Sequence, residues 1–218
     1  MDTWVTSDHH FGHRAIERLA GRPPTAWGEM KTLWRERVAD DDLVLHLGDF
    51  SYRVGRAETR RVAEGLPGRK MLLLGNHDKL GEDFYGSIGF EVLGRGPVIW
   101  DRLDPLGRVV CFSHEPDSKY GPGGEMVGGW DVNVHGHLHN HPYWRDVPML
   151  DYRNVSVEVT RYGPVRLGTV LDATWPSRMY QREGAQPWSS PASSAGGPEG
   201  GSGLPSRSSS TWASTEPS

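Results

Sequence analysis

The chain has 218 residues, with 24 Lys and Arg against 28 Asp and Glu, for a formal net charge of -4. No basic field exists to hold a long polyanion by counterion release, so extended duplex nucleic acid is not an expected partner. The one cysteine, Cys111, excludes an internal disulfide; with no signal-peptide pattern and no membrane-length apolar run, a cytoplasmic protein is expected.

The first apolar run, Trp4 to Ser7, ends at Asp8-His9-His10. His13 to Leu19 reads as a short helix, Pro23 and Pro24 interrupt, and the stretch from Trp27 to Asp40 carries Met30, Leu33, Trp34 and Val38 at helical spacing. Leu43 to Leu47 runs into Gly48-Asp49. Ala57 to Leu66 reads as a further helix closed by Pro67-Gly68, and Met71 to Leu74 runs into Gly75-Asn76-His77-Asp78. Apolar runs alternating with helices argue for parallel strands with crossover helices.

Beyond Gly89 the pattern shifts to short strands at 91–93, 98–100 and 108–112, the last followed by Ser113-His114. A Gly-rich loop, Gly121 to Gly129, reads as a flexible rim before Val132 to His135, which leads into Gly136-His137-Leu138-His139. Asn154 to Val159 alternates as a late strand, and Pro164 opens a last short helix through Leu171. The fold class is layered α/β with a mixed sheet arrangement. From Gln181 to Ser218, 11 Ser, 6 Gly and 5 Pro fill 22 of 38 positions. Such a segment buries too little apolar surface to offset its ordering entropy. The folded domain is therefore expected over 1–172, with a disordered tail over 173–218.

Five strand-like runs thus end in a metal-ligand or proton-transfer residue. In open sheets, ligands gather beyond the carboxyl ends of the strands. Asp8, His10, Asp49, Asn76, His114, His137 and His139 supply two carboxylates, four imidazoles and an amide. Seven ligands exceed the needs of one tetrahedral ion and suit two ions sharing a carboxylate, about 3.5–4 Å apart. The mixed nitrogen and oxygen set disfavours Ca²⁺ or Mg²⁺ and admits Mn²⁺, Fe, Zn²⁺, Co²⁺ or Ni²⁺ without choosing between them; Mn²⁺ is the expected ion. Two divalent ions against two carboxylates leave roughly +2, which favours an anionic substrate. Phosphate esters are the commonest such substrates, and a bridging hydroxide would be the nucleophile. His77, beside the ligand Asn76 and followed by Asp78, is a candidate general acid. Arg53 and His13 are candidate substrate contacts. His46 and His135 lie inside strands and read as core histidines.

The order Asp8-x-His10, Gly48-Asp49, Gly75-Asn76-His77-Asp78, His114, Gly136-His137-x-His139 resembles the calcineurin-like metallophosphoesterases. The run Ser7-Asp8-His9-His10-Phe11-Gly12-His13 and the ending Tyr162-Gly163-Pro164-Val165 look like their small stand-alone bacterial and phage members. The resemblance covers about residues 3 to 172 and implies a four-layer αββα sandwich of two mixed sheets flanked by helices. It implies one metal on Asp8, His10, Asp49 and His139. The other would take Asp49 as bridge, with Asn76, His114 and His137. Arg53 falls where the family has a phosphate-contacting Arg, whereas Tyr52 stands where the family often has an Asp supporting the catalytic His. Asp78 or Tyr52 would then orient His77. The expected activity is hydrolysis of phosphodiesters, with monoesters also possible substrates, in small molecules or nucleotides such as cyclic nucleotides. Two alternatives stand beside it. One is a catalytically weak scaffold acting as a binding module; the other is a metal hydrolase built on His135-x-His137-x-His139-x-His141, which leaves Asp49 and Asn76 unexplained.

Overall fold

The computed structural model describes residues 1–101, 106–118, 128–140, 152–172 and 175. The expectations for most of the Gly-rich loop and, Trp175 apart, for the tail over 173–218 fall outside the described residues.

Alternation inside the apolar runs builds the layers. β1 (Thr3–Thr6) sends Trp4 into one core and Val5 into another, and β2 (Leu43–His46) divides Val44 and Leu45 in the same way. The two strands pair in parallel, from Thr3 opposite Leu43 to Thr6 opposite His46. β3 (Arg69–Leu73) and β4 (Phe90–Gly94) extend the sheet in parallel. A two-residue strand late in the chain, β9 (Val165–Arg166), pairs antiparallel to β1, giving the order β4-β3-β2-β1-β9. The second sheet runs β5 (Val98–Trp100), β6 (Val110–Ser113), β7 (Val132–His135) and β8 (Tyr152–Asn154); only the β5–β6 pair is antiparallel.

Two apolar cores lie on opposite faces of the first sheet. On one, α2 (Ala26–Arg37) presents Ala26, Met30 and Trp34 at four-residue spacing. α3 (Arg56–Glu64) adds Val62 and Ala63, and α4 (Glu82–Ser87) adds Phe84 and Tyr85, against Trp4, Val44 and Leu72. On the other face, Val5 and Leu45 meet Val110, Phe112, Val132 and Val134 of the second sheet. Leu167, Val170 and Leu171 of α5 (Leu167–Leu171) and Trp175 complete that core. Two mixed sheets packed with helices are the expected sandwich.

Three local expectations change, and one helix was not foreseen. The last helix starts at Leu167 rather than at Pro164, because Val165 and Arg166 pair with β1 as a strand. The helix after His13 is a single turn, α1 (Ile16–Leu19), anchored by buried Ile16. α4 was not legible, because six residues are too few to show a helical period. The run 154–159 is not a strand beyond Asn154. Ser156 makes an isolated bridge to Ser7, and the chain then turns, with the Val159 and Thr160 amides donating to the Ser156 carbonyl. Its alternation has another cause: Val155 enters the inter-sheet core and Val157 the helix-side core.

The parallel strands β1, β2 and β3 point the same way, as do β6 and β7, and their carboxyl ends meet at one crevice. Backbone bonds tie the loops there: Asp8 N donates to Gly48 O at 3.0 Å, His10 N to Asp49 O at 2.9 Å and Gly136 N to His114 O at 2.9 Å.

Candidate metal centre

The loops after the five strands leave them abruptly. Asp8, His10, Asp49, His137 and His139 all take left-handed backbone conformations, with φ between 49° and 67°. For residues with a Cβ this region is sparsely populated and costs of order 1–3 kcal/mol each, so surrounding structure must enforce it. The glycines of the motifs explain how the loops come so close. A Cβ on Gly136 would lie 2.0 Å from Ser7 Oγ and 2.4 Å from Asp8 Oδ2, and one on Gly75 would lie 2.2 Å from Asp49 Oδ1.

The side chains converge. Asp49 Oδ2 is 3.3 Å from His10 Nε2 and 3.4 Å from His114 Nε2. Asp8 Oδ1 lies 3.8 Å from His10 Nε2 and 3.9 Å from His139 Nε2. On the far side of Asp49, His114 Nε2 is 2.9 Å from Asn76 Oδ1 and 3.3 Å from His137 Nδ1. All seven residues expected as ligands thus meet. Proximity alone groups Asp8, His10 and His139 together, and Asp8, Asp49 and His114 together, with Asp8 common to both. The distances single out Asp49 Oδ2 instead as the atom between the two histidine sets.

Each carboxylate directs only one oxygen inward. Asp8 Oδ2 accepts from His137 N at 2.8 Å and from Ser156 Oγ at 3.0 Å; Asp49 Oδ1 accepts from His77 N at 2.8 Å. Asp8 Oδ1 and His10 Nε2 are buried and have no hydrogen-bond partner. Buried polar atoms without a partner are costly, and a cation between these two removes the cost, so the residues fit a metal site. The electrostatics agree. Burial opposes charge on Asp8, but His114 and His139 outweigh it and hold the carboxyl below its usual range. Burial pushes His10 down to about 2 despite Asp49, leaving a neutral imidazole able to ligate.

A family model described as calcineurin-like phosphoesterase matches residues 1–202. The chain belongs to that family. As a member, it is a metal-dependent hydrolase of phosphate esters. An uncharacterised protein of Methanocaldococcus jannaschii is 32% identical over 77% of this chain and 88% of its own length. The Gene 66 protein of Mycobacterium phage L5 is 37% identical over 64% of this chain and 78% of its own. A protein of unknown function from Aquifex aeolicus shares the fold, with a TM-score of 0.59 at 24% identity, over 76% of this chain and 95% of that one.

In this phosphoesterase the remaining sequence-derived residues take distinct places. The His77 ring lies 5.2 Å from that of His10, and the Tyr52 ring meets it edge-on at 4.6 Å. Burial lowers His77, with Asp49 opposing. The His13 ring packs 4.2 Å from Tyr52 and 5.5 Å from His10, and Arg53 is exposed with its guanidinium 5.1 Å over the Tyr52 ring. Asp78 is buried, and its oxygens accept from the backbone amides of Asp49, Phe50 and Gly75 and from Tyr85 OH at 2.7–3.0 Å. None of these partners is the His77 ring; Asp78 instead ties the Gly75 to Asp78 turn to the backbone of Asp49 and Phe50. Burial first, and then Asp49, raise its carboxyl to about 6.

His46 and His135 are core histidines, as expected. His46 Nδ1 accepts from Gly48 N at 3.2 Å, so its Nε2–H donates to His9 Nδ1 at 2.9 Å. His135 Nδ1 lies 2.9 Å from Gly136 O.

Sequence reasoning missed Arg22, Glu158 and Ser156. Glu158 sits in a Val-x-Val-x-Val alternation where a carboxylate reads as solvent-facing, and Arg22 sits in a loop before two prolines. In the structure both are buried, with Arg22 Nε 2.6 Å from Glu158 Oε1. Both carboxylate oxygens of Glu158 lie 3.0 Å from His139 Nδ1.

Proposed function

We propose that this chain is a dinuclear-metal phosphodiesterase that also accepts monoesters, acting on small-molecule or nucleotide phosphoesters, with cyclic nucleotides among the candidates. The observation that supports it most is the position of Asp49 Oδ2, 3.3 Å from one histidine set and 3.4 Å from the other. That position suits a carboxylate shared through one oxygen. Asp8, His10, Asp49 and His139 would hold one ion; Asp49, Asn76, His114 and His137 would hold the other. Mn²⁺ leads, with Fe, Zn²⁺, Co²⁺ or Ni²⁺ compatible with the same donors. When bound, such a pair supplies a nucleophile from water at neutral pH and neutralises charge on the phosphate oxygens.

The chain's own groups do the rest. His77 is the proton donor to the leaving alkoxide, and Asp78 positions it by clamping the loop. A phosphate bound beside His77 favours the imidazolium and so opposes the effect of burial. Arg53 and His13 line the rim where the substrate's phosphate and its substituent would lie. Tyr52, in edge contact with both His13 and His77, takes the orienting place of the carboxylate common in the family.

The test is turnover of a chromogenic phosphodiester and monoester by purified protein, with and without Mn²⁺, beside His77→Ala and Asn76→Ala. Metal-dependent turnover lost in both variants supports the reading. No turnover with any metal or ester moves the assignment to a binding scaffold that keeps the fold without the chemistry.

A further inference from the structure

Arg22 and Glu158, 136 residues apart in sequence, form a buried ion pair against the back of the metal-centre residues. We propose that the pair is a built-in positioning device for His139, fixing which of its ring nitrogens faces the ligand cluster. This rests on the two-metal reading above and concerns how one half of that centre is made.

The geometry is specific. His139 sends Nε2 toward Asp8 Oδ1 at 3.9 Å, while Nδ1 lies 3.0 Å from both Glu158 oxygens. A carboxylate only accepts, so the proton at that contact belongs to His139 Nδ1, and Nε2 keeps its lone pair toward the cluster. A carboxylate behind a ligating imidazole also raises its basicity and holds its plane. Glu158 needs its own support, because burying a carboxylate without a partner is costly. Arg22 supplies it: Nε donates to Glu158 Oε1 at 2.6 Å, Nη1 to His9 O at 2.5 Å, and Nη2 to Asp8 O. One planar guanidinium therefore sets both the Glu158 carboxylate and the left-handed Asp8 backbone, which carries another ligand of the same half-site. A lysine, with one rotatable ammonium, cannot hold all three acceptors in that plane.

The other half-site is built differently. His114 Nδ1 lies 2.8 Å from the backbone carbonyl of Leu47, with no carboxylate in that place. Loss of Glu158 is therefore expected to weaken one ion and spare the other.

The experiment has two arms. In the first, Mn²⁺ is titrated calorimetrically into wild-type protein, Glu158→Gln and Arg22→Lys. The inference expects two sites in the wild type, with one weakened about tenfold to a hundredfold in Glu158→Gln while the other keeps its affinity. Equal affinities at both sites in a folded Glu158→Gln protein would overturn it, and so would equal weakening of both. In the second arm, nitrogen NMR of histidine-labelled, Zn²⁺-loaded wild type reads the His139 ring directly and needs no variant to fold. A proton on Nδ1 with the metal on Nε2 supports the inference; the reverse overturns it. Failure of the wild type to bind either metal would instead count against the two-metal reading itself, so the two failures are distinguishable.

Discussion

Gly75→Ala isolates the claim that the metal-centre loops are held at backbone contact. The added Cβ would sit 2.2 Å from Asp49 Oδ1, 2.8 Å from its Cγ and 2.5 Å from its backbone N. Ordinary contact begins near 3.4 Å, so the two loops must part by about 1 Å, and the backbone atom cannot rotate out of the way as a side-chain tip could. Overpacking of this kind costs about 1–3 kcal/mol of stability. A displacement of about 1 Å between reacting groups costs on the order of 100-fold in rate. The matched control is Gly28→Ala in α2, where a Cβ meets nothing within 4 Å. That variant should gain roughly 0.5–1 kcal/mol from helix propensity, with turnover unchanged. Urea unfolding and Mn²⁺-supported phosphodiester turnover read both effects. A Gly75→Ala protein with wild-type midpoint and rate would refute the reasoning.

Asp78→Asn puts an amide NH₂ among three backbone N–H donors and a tyrosine hydroxyl, so it should lower stability by about 1–3 kcal/mol. An unchanged urea midpoint would show that the clamp contributes nothing. Asp42 accepts from Asp2 N, Trp4 Nε1 and Ala39 N, and these bonds, that of Asp2 first, bring its carboxyl from 3.8 to about 2. A lowered folded pKa means that its contribution is present above pH 3.8 and is lost as pH falls through about 2. Asp42→Asn should therefore unfold earlier than wild type at pH 6, with the gap closing toward pH 2; a gap independent of pH contradicts this. Added Mn²⁺ should raise stability by about 2.7 kcal/mol at one hundred times the dissociation constant of a site, and chelation should reverse it. A melting temperature insensitive to both would argue against binding to the folded state.

Much of the centre was legible in the sequence because each ligand directly follows an apolar run. A strand buried on both faces must end at a sheet edge, and parallel strands end at the same edge. Asp8, Asp49, Asn76, His114 and His137 are thus brought together by the sequence pattern alone. The supporting shell was not legible in the same way. Glu158 hides in an alternation set by Val155 and Val157, which enter different cores around a turn rather than along a strand. Arg22 meets it across 136 residues, a pairing that no local pattern encodes. The left-handed backbone of Asp8, His10 and Asp49 was equally hidden, since strain of that kind is imposed by tertiary contacts against residue preference. The surroundings of Asp78 were hidden for a related reason: adjacency to His77 says nothing of the direction its carboxylate takes, and burial turns it to the amides behind it.

The most direct measurement is anomalous diffraction from crystals soaked in Mn²⁺. Two peaks per chain about 3.5–4 Å apart, with Asp49 Oδ2 touching both, are the expected result. A single peak, or two that leave Asp49 out of contact, would contradict the account.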